Sequence, residues 1–439
     1  MKTPTRFSTS LVQRYLPDPF LFVLILTIVV FLSGLFLTPS TPINMVTYWG
    51  EGFWDLLEFA MQMVLVLVTG YVLASSPFFN RLLERTASIA KTPGQAIVLV
   101  TIVALTASWI NWGFGLVIGA LFAKELARQV PKVDYRLLIA SAYSGFIVWH
   151  GGLAGSIPLT VATPDNISED TIGLISTNQT IFSAFNLAIV ASLFIVVPIV
   201  NRVMMNQNDA VTIDPTLLED NKAATTLSSP EVWTPAEKLE NSRWFAMIIG
   251  GFGLVFLVYY FFTNGFRLDL NIVNFMFLTL GILFHGTPKN FLNSVAEAVK
   301  NAGGIIIQFP FYAGIMGMMV TSGLAVQISE WFIAFSTEAT FPLFSFLSAG
   351  IVNFFVPSGG GQWAVQAPIM LEAGATLGVD PAKTVMSVAW GDAWTNMIQP
   401  FWALPALAIA GLRARDIMGF CVWILVISGI VIGAGLTFL

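Results

Sequence analysis

Two ionisable side chains stand where a soluble protein would seldom leave them. His150 lies inside the uncharged run Leu137 to Pro164, and Asp392 interrupts the run Thr384 to Leu412. A histidine in apolar surroundings can exchange a proton, hold an anion when protonated, or spend its ring on a structural hydrogen bond. A carboxylate there can carry H+, ligate Na+, cap a half-helix or pair locally. Small and polar residues cluster near both: Asn111, Trp112 and Gly113; Gly151 and Ser156 after His150; Ser358, Gly359, Gly360 and Gln362; Thr395 and Asn396 after Asp392. These supply amides, hydroxyls and exposed backbone N–H groups, suited to binding a small solute or to satisfying the turns that carry them. Thr395 joins Asp392 as a candidate for holding the coupling ion.

Covalent chemistry has little support. His150 with Ser156 is the one conceivable base and nucleophile pair, so no catalytic residue is assigned. The glycine run Gly359-Gly360-Gly361 is not followed by Lys-Ser/Thr and is no phosphate loop. A lone Cys421 and two histidines make no cysteine or histidine cluster at structural metal spacing. No cofactor is expected beyond a coupling H+ or Na+.

The elements that must position these residues follow from composition. Of 439 residues, 56% are hydrophobic and 10% charged, with mean hydropathy +0.78. A soluble chain needs roughly a quarter of its residues charged, so the solvent here is lipid. A net charge of −5, thinly spread, argues against nucleic acid as a partner. Uncharged runs cover Pro19 to Leu37, Phe59 to Asn80, Thr92 to Ala123, Leu137 to Pro164, Thr171 to Asn201, Trp244 to Phe266, Leu270 to Phe284, Asn301 to Ser329, Ala339 to Leu371, Thr384 to Leu412 and Ile417 to Leu439. Pro19 to Leu37 is too long for a signal-peptide core and lacks a small-residue cleavage site after it, so it is expected to remain as the first span. Period-two alternation is absent, which leaves helices as the spanning elements.

Basic residues set orientation. The N-terminus with Lys2, Arg6 and Arg14, the loops with Arg81, Arg85, Lys91 and with Lys124, Arg128, Lys132, Arg136, and the loop with Arg413 and Arg415 are expected inside. Thr92 to Ala123 has basic flanks on both sides yet is too short for two full spans. Two half-helices forming a re-entrant hairpin resolve the conflict, with a turn near Ser108 to Gly115. Ala339 to Leu371 repeats the pattern around Asn353 to Gly361. Each hairpin precedes a segment with helix breakers at its centre, His150 to Pro158 and Gly391 to Pro400. The expected fold is therefore an all-α polytopic membrane protein built as inverted repeats, residues 1–205 and 244–439, joined by a cytoplasmic linker at 206–243. About nine transmembrane helices and two hairpins (near 92–123 and 339–372) place the N-terminus inside and the C-terminus outside. Leu324 to Phe335 reads as an interfacial helix, and His285, Glu58 and Glu372 as interfacial residues.

Broken helices free backbone groups at mid-membrane, where helix N-termini attract anions and carbonyls hold cations. Ion-coupled alternating access follows from such a layout. Tryptophans 109, 112, 149, 363, 390 and 394 gather at these central positions, either as a wall around a small acyl chain or as core packing.

The residues Arg14-Tyr15-Leu16-Pro17-Asp18-Pro19-Phe20, Ser108-Trp109-Ile110-Asn111-Trp112-Gly113-Phe114-Gly115, Trp149-His150-Gly151-Gly152-Leu153-Ala154-Gly155-Ser156, Val356-Pro357-Ser358-Gly359-Gly360-Gly361-Gln362-Trp363 and Trp390-Gly391-Asp392-Ala393-Trp394-Thr395-Asn396 resemble the bacterial short-chain fatty acid transporter family over essentially the whole chain. The resemblance implies uptake of acetoacetate or butyrate across the bacterial inner membrane. The broader ion-transporter superfamily has paired hairpins and often works as a homodimer with a moving transport domain. Sodium-coupled dicarboxylate carriers in that superfamily use Ser-Asn-Thr at hairpin tips; this chain departs from them, with Asn111 and Ser358 near the tips and Thr395-Asn396 in a broken span. No Arg or Lys lies within the hairpins or breaks, so one carboxylate suits the site better than two. A carrier for another small anion, such as a dicarboxylate or amino acid, is the alternative, and a channel or a membrane-embedded enzyme ranks below it.

Overall fold

The local sequence marks the helix starts plainly. Proline occupies the first turn of helices beginning at Pro42, Pro77, Pro93, Pro288 and Pro381, each behind a Thr, Ser or Asp whose side chain accepts from the first-turn backbone. The computed structural model describes residues 19–163, 166, 168–206, 210–218, 234–265, 270–300, 302–357 and 359–439. The expectations for Lys2, Arg6, Arg14, Ser358 and, in the 206–243 linker, residues 207–209 and 219–233 lie outside these residues. Every regular element among the described residues is helical.

Among the described residues, five helices are long and apolar enough to cross a bilayer: Phe20–Leu37, Pro93–Ile110, Ala184–Val203, Arg243–Asn264 and Ala414–Phe438. Two bent pairs raise this to seven, Ala60–Leu73 with Pro77–Ala87 and Ile306–Thr321 with Leu324–Ile333. Tyr135–Val148, Asn271–His285, Phe341–Asn353 and Pro400–Ala410 are apolar but shorter. Their length is below the roughly 20 residues a single helix needs to span about 30 Å.

One order of elements occurs twice along the chain. A bent pair is followed by two helices meeting at a tip, then a helix ending in a 3-10 turn with a short helix beyond it, then a long helix. In the first half these are Pro93–Ile110 and Trp112–Gln129, then Tyr135–Ser144 with Gly145–Val148 and Ser156–Val161, then Ala184–Val203. In the second they are Phe341–Asn353 and Gly359–Leu377, then Pro381–Thr395 with Asn396–Ile398 and Pro400–Ala410, then Ala414–Phe438. The two long closing helices pack on each other, and Ser156–Val161 packs on Gly359–Leu377 and Pro381–Thr395. The core therefore forms where the two halves meet.

Two expectations change. The limbs of the first hairpin run antiparallel, with Gly115 against Ser108 and Gly119 against Ala104, but each is 18 residues long rather than half a span. The uncharged run undercounts the second limb because Glu125 and Arg128 pair at 2.8 Å on its last turns, which lets the helix carry charge to Gln129. The second break also starts later than Gly391. Helix Pro381–Thr395 runs unbroken through Gly391 and Asp392, and the departure falls at Asn396–Gln399, where Pro400 forces an extended Gln399. Gly391 serves packing instead: a Cβ there would stand 2.3 Å from the Phe346 carbonyl oxygen.

Candidate functional site

Residues 149–155 form the first break, and its glycines allow neighbours to approach its backbone. A Cβ on Gly152 would lie 2.2 Å from the Trp109 carbonyl oxygen, and one on Gly151 2.5 Å from the Trp390 ring. The tip of the first hairpin holds this break directly. Trp109 Nε1 donates to the Gly151 carbonyl at 3.1 Å, and Leu153 N donates to the Trp109 carbonyl at 2.7 Å. Asn186, fully buried, donates to the same Gly151 oxygen at 3.1 Å and accepts from Trp390 Nε1 at 3.0 Å. Three separate elements thus fix the loop that presents His150.

His150 and Asp392 come together although they belong to different halves. Nε2 lies 3.5 Å from Asp392 Oδ1, and both side chains are 0% exposed. Among the described residues, neither ring nitrogen nor either carboxylate oxygen finds a hydrogen-bond partner. A carboxylate in apolar surroundings costs about 2.5–3.5 kcal/mol by insertion scales. The His150 ring rests on Trp149, centroids 3.6 Å apart.

Ser156 and Gly359 complete the group. Ser156 Oγ is buried and has no hydrogen bond among the described residues. A Cβ on Gly359 would stand 2.4 Å from Ser156 Oγ and 2.8 Å from His150 Nε2, so the start of helix Gly359–Leu377 sits directly on both. Gly360 is exposed and faces open space, since a Cβ there would meet nothing within 4 Å.

Asn353, which touches the Asp392 backbone, belongs with Gln362 and Gln399 to a set of buried amides whose nitrogens are engaged and whose oxygens, among the described residues, are not. Asn353 Nδ2 donates to the Asp392 carbonyl and to Thr395 Oγ1, both at 2.9 Å. Gln399 Nε2 donates to the Asn353 and Phe354 carbonyls at 3.0 and 3.2 Å. Gln362 Nε2 donates to the Ala349 carbonyl and to Gln366 Oε1, both at 2.8 Å. The side-chain oxygens of Asn353, Gln362 and Gln399 have no hydrogen bond. Asn396 is reversed: Oδ1 accepts from Trp149 Nε1 at 2.9 Å, its backbone oxygen accepts from Tyr143, and Nδ2 is unpartnered.

Other expected site residues take structural positions. Asn111 Oδ1 caps Trp112–Gln129 by accepting from Phe114 N at 3.1 Å. Trp112 packs against Phe146, Trp149 and Trp402. Gly113 faces Val66, whose side chain would stand 3.2 Å from a Cβ placed there. Thr395 Oγ1 donates to the Gly350 carbonyl at 2.8 Å while accepting from Asn353, which ties the second hairpin to Pro381–Thr395. Ser358 lies outside the described residues. Sequence reasoning passed over Asn186, Asn353 as a side chain, Gln399 and Trp402; their one signal was an amide or indole in an uncharged run. Among the described residues no group of three His, Cys, Asp or Glu side chains could hold a metal ion.

An all-helical chain with several bilayer-length apolar helices and polar groups buried at helix breaks is a polytopic membrane transporter in class. The family model for short chain fatty acid transporters matches residues 1–439, and the chain belongs to that family. It is 50% identical over 434 residues to a protein of Escherichia coli (strain K12) named "Putative short-chain fatty acid transporter", covering 99% of this chain and 98% of the relative. A Haemophilus influenzae protein of the same name is 47% identical over 443 residues, 99% of each chain. The crystal structure of the YdaH transporter from Alcanivorax borkumensis aligns over 96% of this chain and 97% of its own, with 13% identity and a TM-score of 0.41. That last likeness is too low to carry an argument about this chain.

Proposed function

We propose that this protein carries short-chain monocarboxylates such as acetoacetate and butyrate across the bacterial inner membrane, coupled to H+ or Na+, by alternating access. The observation that carries the reading is the fully buried His150–Asp392 pair, 3.5 Å apart and without hydrogen bonds among the described residues, where the first helix break meets the intact helix Pro381–Thr395. A single carboxylate fits beside it. Ser156, His150 and the N-terminal amides of Gly359–Leu377 offer donors, and a helix N-terminus favours an anion. The coupling ion belongs on the other side of the pair. Asp392 with the unpaired oxygens of Asn353, Gln362 and Gln399 is a set of oxygen donors suited to a hard cation, whereas a proton would neutralise the carboxylate alone.

Access requires motion. Gly359 rests so closely on His150 and Ser156 that a substrate enters when the second hairpin withdraws. The recurring element order supports inverted repeats with re-entrant hairpins, and the resemblance to the broader superfamily supports a homodimer in which one part of each protomer moves.

The test is uptake of radiolabelled butyrate and acetoacetate into proteoliposomes under separately imposed proton and sodium gradients, with protein-free vesicles controlling for diffusion of the neutral acids. Saturable accumulation driven by one gradient is the expected result, and that gradient names the ion. Uptake of a labelled dicarboxylate or amino acid by folded protein that takes up no butyrate or acetoacetate would overturn the substrate class.

A further inference from the structure

A groove of about 440 Å³ opens on the side of the first half, away from His150. Its walls are Ile89 and Ala90 from the preceding loop, Val98, Leu99 and Ile102 from Pro93–Ile110, and Arg202 from the last turn of Ala184–Val203. Apart from Gln95 the walls are apolar, and the charged side chain among them is basic. Arg202 lies across the first turn of Pro93–Ile110 so closely that a Cβ on Gly94 would fall 1.1 Å from its Nη1. Among the described residues no hydrogen bond or ion pair to the Arg202 side chain is formed. Arg202 thus joins the C-terminal end of its own helix to the N-terminal end of Pro93–Ile110, whose positive end favours an anion beside it.

We infer that this groove binds an anionic glycerophospholipid of the cytoplasmic leaflet, its phosphate on Arg202 and one acyl chain along Val98, Leu99 and Ile102. Charge complementarity selects the headgroup: Arg202 is joined at this end of the hairpin limb by Lys91, and the positive-inside pattern assigns Arg81, Arg85 and Lys91 to the cytoplasmic face. The apolar walls select an amphiphile over free phosphate. The groove also touches the transport machinery through one rigid element. Pro93–Ile110 forms its floor at one end and carries Trp109, which bonds the break beside His150, at the other. Asn201, adjacent to Arg202, donates to Thr101 Oγ1 on the same limb at 3.0 Å, so a lipid seated here bears on the register of the two helices.

The test is native mass spectrometry of the full chain in detergent, titrated with dioleoyl phosphatidylglycerol or dioleoyl phosphatidylcholine. Wild type should retain the anionic lipid about fivefold better, the preference that about 1 kcal/mol per basic residue gives. Arg202→Gln should bring the two lipids level, Arg202→Lys should restore part of the preference, and Val98→Trp should lower retention of both by filling the groove. Matching size-exclusion profiles establish that the variants fold. An unchanged preference in Arg202→Gln overturns the assignment. A Val98→Trp variant that loses a dimer while keeping its lipids also overturns it, giving the groove to a second copy of the chain. The readout is lipid retention, so it stands apart from the identity of the transported acid.

Discussion

Gly359 and Gly360 are neighbours in sequence but not in consequence. A methyl group on Gly359 meets Ser156 Oγ and His150 Nε2, while one on Gly360 meets nothing. Overpacking of this kind costs typically about 1–3 kcal/mol, so Gly359→Ala should cut gradient-driven uptake about tenfold while Gly360→Ala stays within about twofold. Equal uptake by the two variants would remove the second hairpin from the site. Asp392→Asn keeps the shape of the side chain and removes its charge. Accumulation against a gradient should be lost while the thermal midpoint holds or rises, because a buried carboxylate without donors is replaced by a neutral amide. Normal accumulation in that variant would strip Asp392 of a coupling role. His150 takes the complementary test: His150→Ala should raise the half-saturating butyrate concentration about tenfold or more, the loss of one charge-assisted hydrogen bond.

At the scale of elements, the two hairpins are held in different ways. The first depends on its cap and on the clamp from Trp109. Asn111 spends its oxygen on Phe114 N, so Asn111→Ala should cost about 1 kcal/mol of stability, seen as a lower melting temperature, with substrate affinity unchanged. A weakened affinity at wild-type stability would return Asn111 to the binding site. The second hairpin is tied on by amides, with Asn353 and Gln399 reaching across to backbone carbonyls, while Gln362 bonds its two limbs to each other. Each such bond contributes roughly 0.5–1.5 kcal/mol net. Phe341–Asn353 also packs closely along Pro381–Thr395, so these ties add to an extensive contact.

The whole molecule carries its most exposed apolar surface on peripheral helices. Arg243–Asn264 and Phe20–Leu37 are each 22% buried, whereas Ala414–Phe438 is 50% buried at the junction of the halves. Lipid or a second protomer covers the outer faces, and the breaks stay inside. Orientation has its own check: a reporter fused after Leu439 should be active outside the cytoplasm, and one inserted in the 206–243 linker active within it. The opposite pattern would invert both halves.

Composition and hydropathy determined that this chain is a helical membrane protein, because charge is too scarce for a water-covered surface and unpaired backbone is too costly in lipid. Glycine, proline and capping residues located the first break and both hairpin tips, since those residue types act on the nearest backbone. His150, Asp392, Ser156 and Gly359 were each visible as polar or glycine residues in apolar runs. Their meeting was not, because it depends on contacts between residues as far apart as 150 and 392 that no local pattern encodes. Tertiary structure also decided which polar residues were spent: Asn111 and Thr395 turned to capping and tying, while Asn353 and Gln399 entered the cluster with free oxygens. It moved the second break from Gly391 to Asn396, because a glycine packed against the Phe346 carbonyl leaves a helix intact, and the chain departs from it only where Pro400 dictates an extended residue ahead of it.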